Sequence, residues 1–406
     1  MKYTETYHVL KSLFDQSRDP IDIPGHDAVM THCEMESHAR HILPGSSRYV
    51  CEEHGLAFTE EAGGHHETLE GLSGSDFQFG SNSKFRYTIF KRKGNERNRR
   101  AIFLLHGLNE RYWHKYLPWA LKLLESTGSP VCLIPIAFHM NRAPAEWGSP
   151  KPMNRVARDR QERFPSIIAS SFANAAISSR LQGIPQRFVW SGVQTYYDLI
   201  QLMEEIRAGR HLHIAPDARV DTFSYSIGSF LSQIMFMSNH SGYFSDSRLF
   251  LFCGGPTFDR MYPVSKYIMD SEALVCLYSF FVEHLETECK RDPRLYHYFY
   301  GGHDSGLYFR AMLSHRRLKP EREKRLSELA GQLSAVALTG DEVIQPGEVL
   351  STLQGDFRNI PVPVTVMDFP FSYSHVNPFP VLNSIAPAVD DAFERVFELA
   401  ASHFLR

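Results

Sequence analysis

Ser226 is the residue in this sequence most obviously placed to do chemistry. It lies in Val220-Asp221-Thr222-Phe223-Ser224-Tyr225-Ser226-Ile227-Gly228-Ser229-Phe230-Leu231, which reads as a short strand, a tight turn and then an apolar helix. A serine at the tip of such a turn has its hydroxyl exposed at the strand end, close to the first amides of the following helix. This is the arrangement of a nucleophile elbow. The usual pattern is G-x-S-x-G, and here Ser224 stands at the first glycine. Three other short motifs carry groups that could act with a nucleophile. His106-Gly107 follows one apolar run, Gly340-Asp341 follows a later one, and His375 lies in a turn-rich stretch near the C-terminal end of the sequence.

These groups need a scaffold to bring them together. Ala101–Leu105, Val131–Ile136, Leu249–Cys253 and Ala335–Leu338 are continuous apolar runs, as strands buried on both faces of a parallel sheet should be. Between them lie helical patterns: Trp113–Glu125, ended by Thr127-Gly128, then Val193–Ile206, Ile227–Met237 and a last helix over Ala388–Phe404. Strand alternating with helix predicts parallel β-α-β units. Asp76–Phe79 and Phe85–Phe90 alternate apolar and polar residues and are expected to be half-buried antiparallel strands. Asp221, a charge near the start of a central strand, needs a neighbouring amide or water. The basic run Lys91–Arg100 is read as a solvated turn, and Arg142 and Arg310 as solvated arginines before anion-binding ones. The stretch 258–330 interrupts the alternation with helical signals and is placed to cover the carboxyl ends of the strands as a cap.

From about residue 75 onward the chain resembles the α/β-hydrolase superfamily. The resemblance rests on His106-Gly107, Ser224-Tyr225-Ser226-Ile227-Gly228, Gly340-Asp341 and His375, in the order serine, acid, histidine that this fold uses. It implies a mostly parallel central sheet with helices on both faces. The core would be 75–257 and 331–406, the helical cap insertion 258–330, and an N-terminal extension would occupy 1–74. Ser226 would be the nucleophile, His375 the base and Asp341 the carboxylate that fixes its tautomer. The backbone amides of Leu108 and Ile227 would form the oxyanion hole. His303 is the rival base, and Asp259, Glu342 and Asp368 are the rival acids. His106 is expected to hold the oxyanion loop and not to act as a second base.

The expected activity is hydrolysis of a carboxylic ester, or a thioester or amide, through an acyl-enzyme on a small-molecule substrate. The alternative is a catalytically silent hydrolase fold used for binding, which Ser224 would favour by distorting the elbow. A net charge of −3 gives no electrostatic case for nucleic acid or an anionic membrane. No segment approaches the roughly 20 apolar residues of a membrane span. The six cysteines form no CxxC pair, which suits free thiols in a reducing, cytoplasmic setting. Homo-oligomerisation stays open. His26, His32, Cys33, His38, His41, Cys51, His54, His65 and His66 crowd the N-terminal extension. Within that segment no pair has the short, repeated ligand spacing of a zinc site, so neither metal nor cofactor is expected.

Overall fold

A computed structural model of the chain describes residues 2–46, 48–51, 53–59, 72, 75–94 and 96–406. His65 and His66 lie outside the described residues. Eleven strands are present among them: β1 (Ile21–Asp22), β2 (Val29–Glu36), β3 (Tyr49–Cys51), β4 (Leu56–Phe58), β5 (Lys84–Lys91), β6 (Asn98–Leu105), β7 (Val131–Ile134), β8 (Ile214–Tyr225), β9 (Leu249–Phe252), β10 (Leu333–Leu338) and β11 (Val364–Met367). Nine of them form one sheet in the order β1-β2-β5-β7-β6-β8-β9-β10-β11, and β3 and β4 form a separate hairpin. From β7 to β11 the neighbours are parallel, while β1, β2 and β5 add antiparallel pairings at one side. This is the α/β-hydrolase fold.

The apolar runs are continuous because both faces of the sheet are covered. Ala101, Phe103 and Leu105 of β6 enter one core with Leu249 and Leu251 of β9 and the helices Arg187–Arg207 and Ile227–Ser238. Ile102 and Leu104 enter the other, with Phe250, Phe252 and the helices Tyr3–Leu13, Tyr116–Thr127 and Ala386–Leu405. Successive strand side chains point to opposite faces, so each face needs its own apolar set. The helix Tyr116–Thr127 stops at Gly128, whose φ of 71° lets its amide close onto Leu124 O at 2.8 Å.

One segment differs from its sequence pattern. Asp76–Gln78 is a turn of 3-10 helix and not a strand, because the buried Asp76 carboxylate turns in to Arg180 and Arg187 at 2.6 and 3.0 Å. The polar stretch after Pro150 forms a helix, Pro150–Arg163, with proline in its first turn. Within residues 1–74, β1 and β2 join the central sheet, β2 pairing with β5 from Val29–Lys91 to Glu36–Lys84. Residues 258–330 carry five α-helices, Ser271–Tyr278, Leu285–Arg291, Pro293–Tyr300, Asp304–Leu313 and Lys319–Glu328, and Asp304–Leu313 packs on Ile227–Ser238. No helix of the described residues is long and apolar enough to cross a membrane.

Candidate active site

β8 ends at Tyr225 and a helix begins at Ile227, so Ser226 must reverse the chain alone. Its φ of 56° and ψ of −121° lie where non-glycine residues are strained, as the sharp turn of an elbow requires. Two glycines allow the helix to pass this close. A Cβ on Gly228 would sit 2.8 Å from the carbonyl oxygens of Leu105 and His106, and one on Gly254 would sit 2.2 Å from the Ser229 side chain. The first clash is with backbone that cannot swing away. Gly228→Ala is therefore expected to cost about 1–3 kcal/mol of stability, the usual penalty of overpacking, read as a lower urea midpoint.

Ser224, at the first elbow position, is fully buried and accommodated. Ser232 donates its hydroxyl to Ser224 Oγ at 2.9 Å, and the Ser224 proton can turn to Ser229 Oγ at 3.2 Å or Phe250 O at 3.4 Å. The hydroxyl bridges strand and helix where a glycine would leave only contact.

Asp341, His375 and Ser226 form one hydrogen-bonded chain. His375 Nε2 lies 2.7 Å from Ser226 Oγ, and His375 Nδ1 lies 2.7 Å from Asp341 Oδ2. The other carboxylate oxygen, Oδ1, accepts the amides of Val343 and Ile344 at 2.9 and 2.8 Å. A carboxylate can only accept, so Nδ1 carries the ring proton and Nε2 is free to accept from the serine. All three side chains are nearly buried, which limits competition from water. The Tyr225 ring stacks against His375 at 5.4 Å and 17°.

The rivals lie elsewhere. Asp259 accepts from Thr257, Ser314 and the His315 amide. Asp368 accepts from Thr339 and Tyr373, Glu342 is exposed, and His303 sits beside Cys51 and His297. Arg142 is completely buried and pairs with Asp198, so it is not the solvated arginine expected from the sequence. Arg310 is half-buried and lies 4.0 Å from the Tyr300 ring.

Leu108 and Ile227 flank Ser226 in one small apolar pocket, together with Phe188, Met261, Ile268 and Met269. The loop bearing Leu108 is held from several sides. Ile136 donates its amide to His106 Nε2 at 2.9 Å, which puts the His106 proton on Nδ1, 2.8 Å from Gly107 O. Burial pushes His106 well below its usual range, so it stays neutral in this structural task. Asn109 donates to Ala173 O and Tyr267 O at 2.8 and 2.7 Å. Gly107 donates its amide to Tyr116 Oη at 3.0 Å, and Tyr116 donates on to Glu110 at 2.9 Å. Lys115 pairs with Glu110 and donates to Val376 O at 2.9 Å, tying this loop to the residue after His375. Sequence reasoning missed Asn109, Lys115 and Tyr116, and no local pattern marks them. A wider cleft of about 480 Å³ lined by Tyr49, Tyr197, Gln201 and Glu204 shares no residue with the serine pocket. The hydrogen-bonded chain, not cavity size, marks the site.

A model of a family of unknown function, DUF6051, matches residues 1–405. The chain belongs to that family. The match takes in residues 1–74 as well as the rest of the sheet and its helices. No curated protein matches the chain. Among solved structures, carboxyl esterase 2 from the mycorrhizal fungus Tuber melanosporum is similar at 11% identity and a TM-score of 0.44, over 79% of this chain and 82% of that one. A thermostable carboxyl esterase from Bacillus coagulans is similar at 14% identity and a TM-score of 0.41, over 79% and 94%. An esterase from Pseudomonas putida is similar at 9% and 0.41, over 100% and 91%. At such scores these likenesses bear on neither substrate nor mechanism.

Proposed function

We propose that this protein is a serine hydrolase that cleaves carboxylic esters through an acyl-enzyme on Ser226. The observation that carries the reading is the chain Asp341–His375–Ser226, with 2.7 Å at both links and the serine on a strained turn at the strand end. His375 Nε2 takes the hydroxyl proton as Oγ attacks the ester carbonyl. The resulting oxyanion is met by the amides of Leu108 and Ile227. His375 returns the proton to the leaving alkoxide, and water then repeats the sequence on the acyl-enzyme. Asp341 holds the imidazole in the required tautomer and stabilises the imidazolium while it exists. Each oxyanion donor is worth about 3–4 kcal/mol of transition-state stabilisation. The pocket beside Ser226 is lined by Phe188, Met261, Ile268, Met269 and Val343, which favours a short apolar acyl group.

A fluorophosphonate probe and a series of p-nitrophenyl esters test this. The expected result is one adduct, mapped by mass spectrometry to Ser226, and turnover of acetate and butyrate esters that falls to background as labelling reaches completion. Folded protein that takes no adduct at Ser226 would overturn the proposal, and so would ester turnover that survives full labelling.

A further inference from the structure

The hairpin formed by β3 and β4 brings Cys51 and His54 against His297, on the helix Pro293–Tyr300, and His303, just beyond it. One donor atom from each of the four residues lies within 4.8 Å of all the others. Cys51 Sγ is 3.4 Å from His54 Nδ1 and 3.5 Å from His303 Nε2, and His303 Nε2 is 3.3 Å from His297 Nε2. A tetrahedral zinc, with nitrogens at about 2.05 Å and sulfur at about 2.3 Å, spaces its ligands at about 3.3 Å for nitrogen pairs and about 3.6 Å for sulfur with nitrogen. These three separations match that spacing, and the remaining three lie within 4.8 Å.

The surroundings also suit a metal. Glu53 Oε2 lies 2.8 Å from His303 Nδ1. A carboxylate can only accept, so the His303 proton is on Nδ1 and the Nε2 lone pair is directed at Cys51 and His297. A carboxylate behind a histidine is the usual way a ligand's tautomer and orientation are fixed. Cys51, His297 and His303 are buried, and His54 closes the group from the exposed side. One thiolate and three imidazoles match the ligand preference of zinc. In sequence the ligands are a C-x2-H pair and an H-x5-H pair far apart, so spacing within the N-terminal extension alone could not reveal them.

We propose that Cys51, His54, His297 and His303 bind one zinc ion in a closed, four-ligand structural site that pins the β3–β4 hairpin to the helix Pro293–Tyr300 and the loop after it. None of the four belongs to the chain Asp341–His375–Ser226, so the proposal stands or falls separately from the hydrolase reading. The ion would be held only once hairpin and helix have met, so its binding stabilises the folded chain.

The test uses the full chain. Elemental analysis after gel filtration is expected to give about one zinc per chain, falling below about a tenth in Cys51→Ala/His303→Ala. Because that variant can fail to fold, a second measurement uses wild type. Chelated protein is titrated with Co²⁺, and the expected spectrum has intense tetrahedral d–d bands and a thiolate-to-cobalt charge-transfer band, both removed by Zn²⁺. Cys51→Ser is expected to lose the charge-transfer band. Glu53→Gln, which leaves every ligand in place, is expected to weaken zinc binding about 10–100-fold. Wild type without bound zinc and with only octahedral cobalt absorption would overturn the proposal, as would a charge-transfer band that persists in Cys51→Ser.

Discussion

Asp341→Asn is expected to lower ester turnover about 10⁴-fold, about 5.5 kcal/mol of barrier, while leaving the protein folded. The backbone determines which way the new amide points. Oδ1 of residue 341 accepts the amides of Val343 and Ile344, and only the carbonyl oxygen of an asparagine can replace it there. The NH2 group must then occupy the place of Oδ2, 2.7 Å from His375 Nδ1. An NH2 can only donate, so Nδ1 loses its proton and Nε2 must carry it. A protonated Nε2 cannot accept from Ser226. The geometry is retained and the tautomer is reversed. Steady-state kcat on p-nitrophenyl butyrate, with circular dichroism as the folding control, measures the effect. Fluorophosphonate labelling of Ser226 should slow in parallel, because it needs the same proton removal. A loss of less than about tenfold would mean that Asp341 does not orient His375.

Ser226, His375 and Asp341 are legible in the sequence for a physical reason. A serine on a one-residue reversal needs small neighbours, and the second glycine of the elbow is demanded by contact with the backbone of residues 105 and 106. Such local constraints leave a trace in the order of residues. The buried strands are legible for the same reason, since being covered on two faces makes them apolar throughout. β2 is not legible, because Val-Met-Thr-His-Cys-Glu-Met-Glu mixes charges and a thiol and becomes a strand only through its pairing with β5. Phe77 and Phe79 misled because aromatic alternation outweighed one buried carboxylate, Asp76. The contacts that steady the site, Lys115 to Val376 and Asn109 to Tyr267, join segments far apart in the chain. So does the cluster of Cys51, His54, His297 and His303. No local pattern records such meetings.

Arg142 is another residue whose role depends on a distant partner, and it leads to the largest expected loss of stability. Its guanidinium is completely buried, lies 2.8 Å from Asp198 Oδ2, and donates to Pro135 O, Asn82 O and Asn82 Oδ1. Its flat face lies 4.0 Å from the Phe85 ring. Burial pushes the Asp198 carboxyl up and the Arg142 guanidinium down, and in each case the partner opposes it. Each charge is tolerated because the other is present. Asp198→Ala would leave a cation with no counter-charge in the interior and is expected to cost about 3–5 kcal/mol, measured by equilibrium urea unfolding. Replacing both groups with apolar ones, Arg142→Met with Asp198→Leu, should recover most of that loss, because the desolvation cost disappears along with the attraction. A loss below about 1 kcal/mol in Asp198→Ala would mean that the three carbonyl-type acceptors hold the guanidinium unaided. The double variant also separates the two roles an arginine near this site could have. Arg142 anchors the loop that follows β7, where Phe138 and His139 line a cavity beside Leu108. An anchor replaced by a well-packed apolar pair leaves the KM ratio between anionic and neutral esters unchanged, whereas loss of an anion ligand would raise KM for the anionic ester alone. With no part of the guanidinium reaching solvent, the ratio is expected to stay constant.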